Sequence, residues 1–583
     1  MIAPSVTSWE QVAAHKKREI ESAIPSRYYV DKTLLDSHNA VDLPRKSGLM
    51  TARELLITES RAVDLVKFLA KRTYTAVEVT TAFCKRAAIA HQATNCLAVV
   101  LFEDALKQAE ELDRYMALHG KPKGPLHGLP ISVKEHIYLE GTPATSGLIS
   151  WRDEISPVDA LIVKIFREAG AVFHVKTTNP QCLMALETHS NLYGRTTNPY
   201  NKNLTSGGSS GGESALIAMR GSVLGIGTDI GGSIRTPSAF CGGYGLKPSI
   251  ARLPHSGLSG LHSGMENIIG CVGPMANCIE DVQLFCQVAL DYKPWEVEPS
   301  LMPMPWRRRR AEAVPKKLTI GVMWNDGVVT PHPPVTRALN QAVAKLRAAG
   351  HRVVDWDPKY HASLVKWINQ AYFLDGAREY REALKEDNDP PVPILRWLMD
   401  TEGTQRCEVE DTWKLNVEHD RLRTLYAEQW RNSDIDVLLC PANPSVASAH
   451  DESRYWGYTS AFNALDLPGT VFPVSTVQDT DVWEGTEPVL SEKDVEYRAF
   501  YSNDGPSKYR EAPVALQLIG KRLQEESLLA MTEVISNLVR ADVHVPSGVV
   551  GDTVQIQLGA AGKVTHLLEK KDGVNVRVQE VMA

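Results

Sequence analysis

The spacing of apolar and polar residues along the chain predicts helices packed on a sheet that contains parallel strands. Residues 62–69 place apolar side chains at helical spacing, and residues 75–78 (TAVE) form a capping box that predicts the start of another helix. An apolar run at 317–323, an amphipathic stretch at 334–349 and a further apolar run at 351–354 predict strand, helix and strand. Because this order is typical of a βαβ unit, we expect an α/β fold with a large mixed β-sheet covered by helices on both faces.

The C-terminal part of the chain has a different pattern. Residues 554–558 (VQIQL) alternate apolar and polar positions, and two further alternating runs at 564–569 and 574–578 flank the dipeptide Asp572-Gly573. An Asp-Gly dipeptide between alternating runs is typical of a β-hairpin turn. The hairpin either pairs with a sheet edge or with a partner subunit, or it is a frayed appendage.

These patterns divide the chain into three parts. We expect a helical arm over residues 1–60, one large domain around a single mixed sheet over 61–545, and a hairpin-like extension over 546–583. No long linker interrupts the middle part, so splitting it would need a boundary in the Pro/Arg-rich stretch near 295–317.

Composition indicates a globular protein without a membrane span. Of the 583 residues, 43% are hydrophobic and 23% are charged, and no run of 18 apolar residues occurs. The first residues lack the apolar segment of a secretory signal, and the nine cysteines show no C-x-x-C spacing, so we expect a cytoplasmic protein without a metal site. The run of four arginines at 307–310 is interpreted as a solvated linker and not as a nucleic-acid contact, because the net charge is −7.

Two loops rich in glycine and serine are the strongest chemical signal. Residues 206–213 read SGGSSGGE, and residues 225–235 read GIGTDIGGSIR. Glycine permits positive φ angles and a close approach of the backbone to a ligand, and the serines among them present hydroxyl groups. The pair of loops predicts a nucleophile with its own oxyanion hole.

A lysine at the end of an apolar strand is the second signal. Residues 130–133 (PISV) predict a short buried strand that ends at Lys134. Burying an ammonium group is costly, and desolvation lowers the pKa of a lysine. We therefore expect Lys134 to be neutral and able to act as a general base.

Together these segments resemble the amidase signature family. Further stretches resemble its fungal acetamidase or general amidase branch, and the resemblance covers residues 8 to 545. They are SWE at 8–10, KT at 176–177, NP at 198–199, VGPM at 272–275, PMPWR at 303–307, HPP at 332–334 and APVALQLIG at 512–520.

The resemblance implies a catalytic triad of Lys134, Ser209 and Ser233. In this family a lysine, a serine that follows a cis peptide bond, and a nucleophilic serine act together, so the resemblance also implies a cis bond before Ser209. Ser233 would attack the amide carbonyl, and Ser209 would relay its proton to neutral Lys134 and later to the leaving nitrogen. No cofactor is needed for this chemistry.

Residues around the triad have expected supporting roles. Four consecutive backbone N–H groups, at Ile230, Gly231, Gly232 and Ser233, would hold the tetrahedral oxyanion, and side chains at the two glycines would block the carbonyl oxygen. Hydrogen bonds around the triad and an ion pair that braces the nucleophile loop are expected from Ser210, Thr228, Asp229 and Arg235.

One competing motif is present. Residues 207–211 and 208–212 both fit G-x-S-x-G, the nucleophile elbow of α/β-hydrolases, which would make Ser209 or Ser210 the nucleophile of a Ser-His-Asp triad. No histidine later in the chain, including His450, is marked as the partner that this reading requires.

The resemblance implies a hydrolase of carboxylic amides, with small aliphatic or aromatic primary amides as substrates and ammonia as a product. Carbamates and esters could share the acyl-enzyme route, which leaves a urethanase-like hydrolase as an alternative. A second alternative is the A subunit of a tRNA-dependent amidotransferase, which would need a partner subunit. By family analogy we expect residues 182–187 and 455–462 to line the acyl site, and we expect a homodimer.

Overall fold

The computed structural model describes residues 8–307, 313–401, 404–485 and 488–540, together with the backbone of three strands near the C-terminus. Within these residues one mixed sheet of eleven strands forms the centre of the protein. The strands of the protein are β1 (Leu97–Val100), β2 (Pro130–Lys134), β3 (Val172–Thr177), β4 (His189–Ser190), β5 (Gly194–Arg195), β6 (Leu224–Asp229), β7 (Tyr244–Lys247), β8 (Cys271–Ala276), β9 (Thr319–Val322), β10 (Arg352–Asp355), β11 (Val437–Pro441), β12 (Gly469–Thr476), β13 (Pro513–Ile519), β14 (Val554–Leu558), β15 (Val564–Lys571) and β16 (Val574–Glu580).

Helices connect and cover these strands. They are α1 (Trp9–Ser22), α2 (Lys32–Leu35), α3 (Leu43–Lys46), α4 (Ala52–Glu59), α5 (Ala62–Ala70), α6 (Ala76–Thr94), α7 (Phe102–His119), α8 (Leu161–Glu168), α9 (Gly211–Ala218), α10 (Arg235–Phe240), α11 (Ile279–Asp291), α12 (Pro333–Ala348), α13 (His361–Ala371), α14 (Arg378–Glu386), α15 (Pro393–Met399), α16 (Val409–Ser433), α17 (Gly457–Ala464), α18 (Glu492–Ser502), α19 (Gly505–Lys508) and α20 (Glu525–Arg540), with short 3₁₀ turns at Ser26–Tyr28, Gln181–Leu183 and Pro294–Glu296.

The order of strands in the large sheet is β1-β3-β2-β6-β8-β7-β12-β13-β11-β9-β10. Parallel pairing joins β2 to both β3 and β6, and joins β9 to both β10 and β11, whereas the remaining neighbours are antiparallel. Every residue of β2, β8 and β13 is buried. Since side chains alternate between the faces of a strand, both faces of the sheet are covered, and the predicted α/β fold is confirmed.

The local predictions for helices and strands are also confirmed. Thr75 caps α6 through a capping box with Glu78, and α5 begins at Ala62 as its apolar spacing predicts. The predicted βαβ unit consists of β9, α12 and β10, and the two strands pair in parallel. No helix among the described residues is both long and apolar enough to cross a lipid bilayer.

The N-terminal arm and the C-terminal extension differ in their relation to the large sheet. Residues of the arm such as Ile24, Tyr28 and Leu43 share a buried cluster with α6 and α9, so the arm packs on the main body. Near the C-terminus, β15 pairs antiparallel with β14 and with β16. The expected turn at Asp572 and Gly573 lies outside the described residues. The division into three parts stays a prediction.

Candidate active site

Three segments meet at one edge of the sheet. Strand β2 ends at Lys134, and the parallel neighbour β6 ends at Asp229, from which the chain turns through Ser233 into α10. Ser209 lies immediately before α9, which packs on both β2 and β6. Because the carboxyl ends of parallel strands lie at the same edge of a sheet, the strand pairing brings these distant parts of the chain together.

Lys134 is buried and contacts two hydroxyl groups. Its Nζ lies 2.6 Å from Ser209 Oγ and 2.9 Å from Thr228 Oγ1. Burial lowers the pKa of Lys134 from 10.5 to about 7, although the charges of Asp229, Glu213 and Glu135 act in the opposite direction. This lowering of the pKa favours the neutral amine, the form that the expected role as a general base requires.

A histidine that the sequence analysis missed completes a hydrogen-bonded chain behind the lysine. His136 Nδ1 lies 2.8 Å from the carbonyl oxygen of Ser259, and Nε2 lies 2.9 Å from Thr228 Oγ1. Burial and the nearby charge of Lys134 hold the pKa of His136 well below its usual range, so the ring is neutral. A carbonyl oxygen only accepts, so Nδ1 carries the proton and the Thr228 hydroxyl donates to Nε2.

This assignment also orients Lys134. With its own proton directed to His136, the Thr228 oxygen accepts a hydrogen bond from the Lys134 amine. The neutral amine then has a lone pair available toward the Ser209 hydroxyl, 2.6 Å away. Thr228, expected only as a supporting residue, therefore links the Lys134 amine to the His136 ring through its hydroxyl group.

Ser209 follows a cis peptide bond from Gly208, as the resemblance implies. A side chain at Gly208 would place its Cβ 2.5 Å from both the carbonyl oxygen of Ala185 and the backbone nitrogen of Glu187. Glycine is therefore required here by the close approach of another backbone segment. Ser210, the next residue, donates its backbone N–H to the carbonyl oxygen of Ser233 at 3.1 Å and so joins the two serine loops.

The expected ion pair between Asp229 and Arg235 is present and fully buried. Arg235 donates from Nε and Nη2 to the two carboxylate oxygens of Asp229, both at 3.0 Å. Burial alone would raise the pKa of Asp229, but the charge and hydrogen bonds of Arg235 and Asn463 outweigh it and hold the pKa below its ordinary value. The carboxylate also accepts the backbone N–H of Ile234 at 3.2 Å, so the pair shapes the turn around Ser233.

The expected set of four oxyanion donors needs a correction. The N–H of Gly232 donates to Asp229 Oδ1 at 2.8 Å, so it is already engaged in shaping the loop. Among the described residues the N–H groups of Ile230, Gly231 and Ser233 have no acceptor. The structure therefore leaves three of these four N–H groups without a hydrogen-bond acceptor.

The two glycines of this loop are required for a reason that the sequence analysis did not identify. A Cβ at Gly231 would lie 2.5 Å from Tyr372 Oη, and one at Gly232, where φ is +134°, would lie 2.4 Å from Thr459 Oγ1. Tyr372 and Thr459 also donate hydrogen bonds to the carbonyl oxygens of Ile230 and Gly231, at 2.9 and 2.6 Å. Side chains at these glycines would thus collide with the groups that hold the loop.

Ser209, Ser233 and Ile230 line a cavity of about 250 Å³. Residues 182–184 contribute to its wall, in agreement with part of the expected acyl site, and so does the segment 255–270, which the sequence analysis did not single out. Residues 455–462 were expected there as well. Tyr455 and Trp456 instead line a neighbouring cavity of about 490 Å³.

A single buried tyrosine borders both cavities. Tyr372 lines the cavity of the two serines and the neighbouring one. It is only 2% exposed and lies at the C-terminal end of α13, far from both serine loops in the sequence. No signal in the sequence marks this residue, because its position depends on how α13 packs against the nucleophile loop.

The comparison with known proteins identifies the family. A family model described as Amidase matches residues 78–529, which is most of the chain. The chain belongs to the amidase signature family. It is therefore a hydrolase that acts on amides, and the predicted family membership is confirmed.

Named relatives of this amidase are fungal enzymes. It is 40% identical to the acetamidase of Aspergillus oryzae over 543 residues, which covers 91% of this chain and 99% of that protein. It is also 40% identical to the acetamidase of Emericella nidulans over 545 residues, which covers 91% of this chain and 98% of that protein.

Among solved structures, the amidase is similar to a fatty acid amide hydrolase. The two structures superpose with a TM-score of 0.87 at 36% sequence identity, and the match covers 91% of this chain and 95% of the other.

A buried carboxyl group lies behind the lysine and was also missed. The Ser132 hydroxyl donates to Glu213 Oε2 at 2.5 Å, and a Cβ at Gly225 would lie 2.3 Å from the same oxygen. Burial raises the pKa of Glu213 to about 8, so most of the carboxyl is protonated at neutral pH. An ionised Glu213 would raise the pKa of Lys134, and a charged Lys134 would lower the pKa of Glu213, so the neutral form of each group favours the neutral form of the other.

Proposed function

We propose that Ser233 is the nucleophile of this amidase, that Ser209 is the proton relay and that neutral Lys134 is the general base. The contact of 2.6 Å between Lys134 Nζ and Ser209 Oγ, together with the opening of Ser209 and Ser233 into one cavity, carries the proposal. A serine hydroxyl becomes a competent nucleophile when an adjacent base removes its proton.

In the first step the Ser233 oxygen bonds to the amide carbon while its proton passes through Ser209 to Lys134. The tetrahedral intermediate then expels the amine, which takes a proton from the same relay because an amide anion is too basic to leave. Water then attacks the carbonyl carbon of the acyl-enzyme while the relay accepts one water proton. The second tetrahedral intermediate breaks its bond to the Ser233 oxygen, which takes that proton back from the relay, and the carboxylic acid is released.

Three backbone N–H groups would stabilise the negative charge on the oxygen. Those of Ile230, Gly231 and Ser233 are without an acceptor in the described part of the chain and belong to the nucleophile loop. Removal of one such donor in other hydrolases costs about 3 to 4 kcal/mol of activation free energy. The buried Asp229–Arg235 pair would hold the nucleophile loop in place.

We propose small aliphatic or aromatic primary amides as substrates. The cavity of about 250 Å³ lies just below the range of roughly 300–1,000 Å³ that is usual for drug-sized ligands, which favours a short acyl group. Its wall combines apolar side chains, such as Met184, Leu258 and Ile268, with the serines. Two relatives with acetamidase in their names support the same size class.

The test is ammonia release from acetamide, hexanamide, benzamide, glutamine and a long-chain fatty amide, with ethyl carbamate as a further substrate. Wild type, Ser233→Ala and Ser507→Ala are compared, because Ser507 is an exposed serine on α19. We expect turnover of the smaller amides by wild type and Ser507→Ala, and no turnover by Ser233→Ala with an unchanged circular dichroism spectrum. Activity of Ser233→Ala would contradict the assigned nucleophile.

The same panel separates the substrate classes. Ser233-dependent cleavage of ethyl carbamate in preference to acetamide would favour a urethanase-like enzyme. Turnover of only the long-chain amide would contradict the small acyl site. Silence on every substrate from a folded protein would contradict the proposal that the chain acts alone on small amides.

A further inference from the structure

A histidine and two carboxylates meet at the rim of the active-site cavity. His262 Nε2 lies 3.2 Å from Asp375 Oδ1 and 3.9 Å from Glu379 Oε2, and one ligand atom from each residue lies within 4.8 Å of the others. His262 belongs to the cavity wall at 255–270, whereas Asp375 and Glu379 lie just before α14 and in its first turn. More than a hundred residues of sequence separate the two segments, so only the fold brings these groups together.

The imidazole is buried and lacks a hydrogen bond at the atom that faces the carboxylates. The His262 side chain is 10% exposed, and its Nε2 lies at ion-pair distance from Asp375, but within the described ranges the orientation of the ring does not give Nε2 a hydrogen bond. The rings of Phe373 and Tyr380 pack against the imidazole, with centroids 6.1 and 4.8 Å away, and fix its orientation. A buried ring nitrogen without a hydrogen bond is costly and points to a ligand that completes the site.

Both carboxylates are oriented by backbone hydrogen bonds. Asp375 accepts the N–H of Ala377 on Oδ1 and that of Glu379 on Oδ2, both at 2.9 Å. Glu379 Oε2 accepts the backbone N–H of His262, also at 2.9 Å. Each oxygen keeps a further lone pair, and such outer contacts are typical of groups that hold a metal ion.

The charge of the cluster also favours a cation. In the described part of the chain neither Asp375 nor Glu379 forms an ion pair with a lysine or an arginine. With a neutral imidazole the three side chains carry a charge of −2, and with an imidazolium they carry −1. An imidazolium would therefore leave excess negative charge, whereas a divalent ion would neutralise it.

We propose that His262, Asp375 and Glu379 bind a divalent transition-metal ion such as Zn²⁺. One imidazole nitrogen and two carboxylate oxygens are ligand types that Zn²⁺ accepts, and a water molecule completes four-coordination. The ion joins the cavity wall at 255–270 to α14 and so holds the wall in place. It takes no part in the proposed chemistry of Ser233, and the site does not depend on that proposal.

The test uses the full chain after treatment with a chelator. Co²⁺ is titrated into the protein, its visible absorption reports coordination, and Zn²⁺ is added to displace it. We expect one Co²⁺ per chain in wild type, and affinity weaker by about 100-fold or more in His262→Ala and in Asp375→Asn, since loss of an outer contact alone costs 10- to 100-fold. The matched control His15→Ala replaces an exposed histidine on α1 and should bind as wild type does.

Two further measurements keep the test decisive. Thermal unfolding of wild type should shift upward with Zn²⁺, while His262→Ala should not shift, because an ion that binds only the folded state stabilises it. The Ser233→Ala variant should bind Co²⁺ as wild type does, which separates this site from the proposed function. Absence of coordinated Co²⁺ in wild type, or equal affinity in His262→Ala and wild type, would overturn the proposal and leave only a histidine–carboxylate ion pair.

Discussion

Replacement of Lys134 by methionine tests whether the active-site base is a lysine kept neutral by burial. Methionine keeps the unbranched shape but removes the amine. Burial lowers the pKa of Lys134 from 10.5 to about 7, so the folded protein holds this proton less tightly than the unfolded chain. A lysine with a pKa depressed by folding destabilises the folded state below the unfolded-state pKa. The penalty is full at low pH, declines above pH 7 and disappears near pH 10.5.

The magnitude follows from the pKa values. Each pKa unit corresponds to 1.36 kcal/mol, which gives a penalty of about 4 kcal/mol at pH 7 and roughly 1 kcal/mol at pH 9.5. Lys134→Met also leaves the hydroxyls of Ser209 and Thr228 without one partner, at a cost of about 1–3 kcal/mol each that does not depend on pH in this range. We therefore expect the stability of the variant relative to wild type to fall by about 3 kcal/mol between pH 7 and pH 9.5.

Urea unfolding followed by tryptophan fluorescence at both pH values measures this difference. Lys121→Met is the matched control, because Lys121 is exposed after α7, and its effect should be the same at both pH values. The variant Lys134→Met should also lose amide turnover at both. A stability difference between Lys134→Met and wild type that is equal at pH 7 and pH 9.5 would refute the neutral buried lysine.

Three further substitutions test the relay, its support and the acyl site. Lys134→Ala should reduce amide turnover nearly as severely as Ser233→Ala does. It should reduce the turnover of esters with good leaving groups less, since such a leaving group needs less protonation. Equal losses in kcat/KM for amides and esters would contradict the relay. His136→Ala should lower kcat about ten- to a hundredfold with little change in KM. It should also move the acid limb of the profile of kcat against pH to higher pH, because water that enters the vacated space stabilises the ammonium form of Lys134. An unchanged profile would contradict the positioning role of His136. Tyr372→Ala should join the cavities of about 250 and 490 Å³ and improve kcat/KM for long-chain amides relative to short-chain amides. Tyr372→Phe keeps the aromatic ring in the wall and should not change this chain-length preference. The same chain-length preference in both variants would show that Tyr372 does not separate the cavities.

Features that depend on neighbouring residues could be predicted without the fold. The βαβ unit at 319–355 follows from apolar spacing, and the capping box at Thr75 follows from two residues three positions apart. The ion pair of Asp229 and Arg235 spans a single turn, so proximity in the chain was a sufficient guide. Lys134 could be predicted as a candidate base because a charged side chain at the end of an apolar strand would be costly to bury.

Features that depend on packing between distant segments could not be predicted. His136 is next to a residue that the resemblance identifies, yet its role appears only when β2 and β6 align and bring it to Thr228. The hydrogen bond from the Gly232 N–H to Asp229 is local, but it depends on the shape of the turn, and the number of consecutive N–H groups does not indicate that shape. Residues 455–462 were assigned to the wrong cavity because α17 and the segment 255–270 could not be positioned from spacing.

The class of fold, the family and the residues of the proposed chemistry could all be predicted from the amino-acid sequence. These are encoded in local periodicity and in short loops whose glycines and serines are constrained by the backbone they form. The burial of Lys134, its contacts with Ser209 and Thr228, the hydrogen bond from Thr228 to His136 and the wall between the two cavities appear only in the folded chain. Each of these depends on burial and on contacts between segments far apart in the chain, and both quantities exist only once the sheet has assembled.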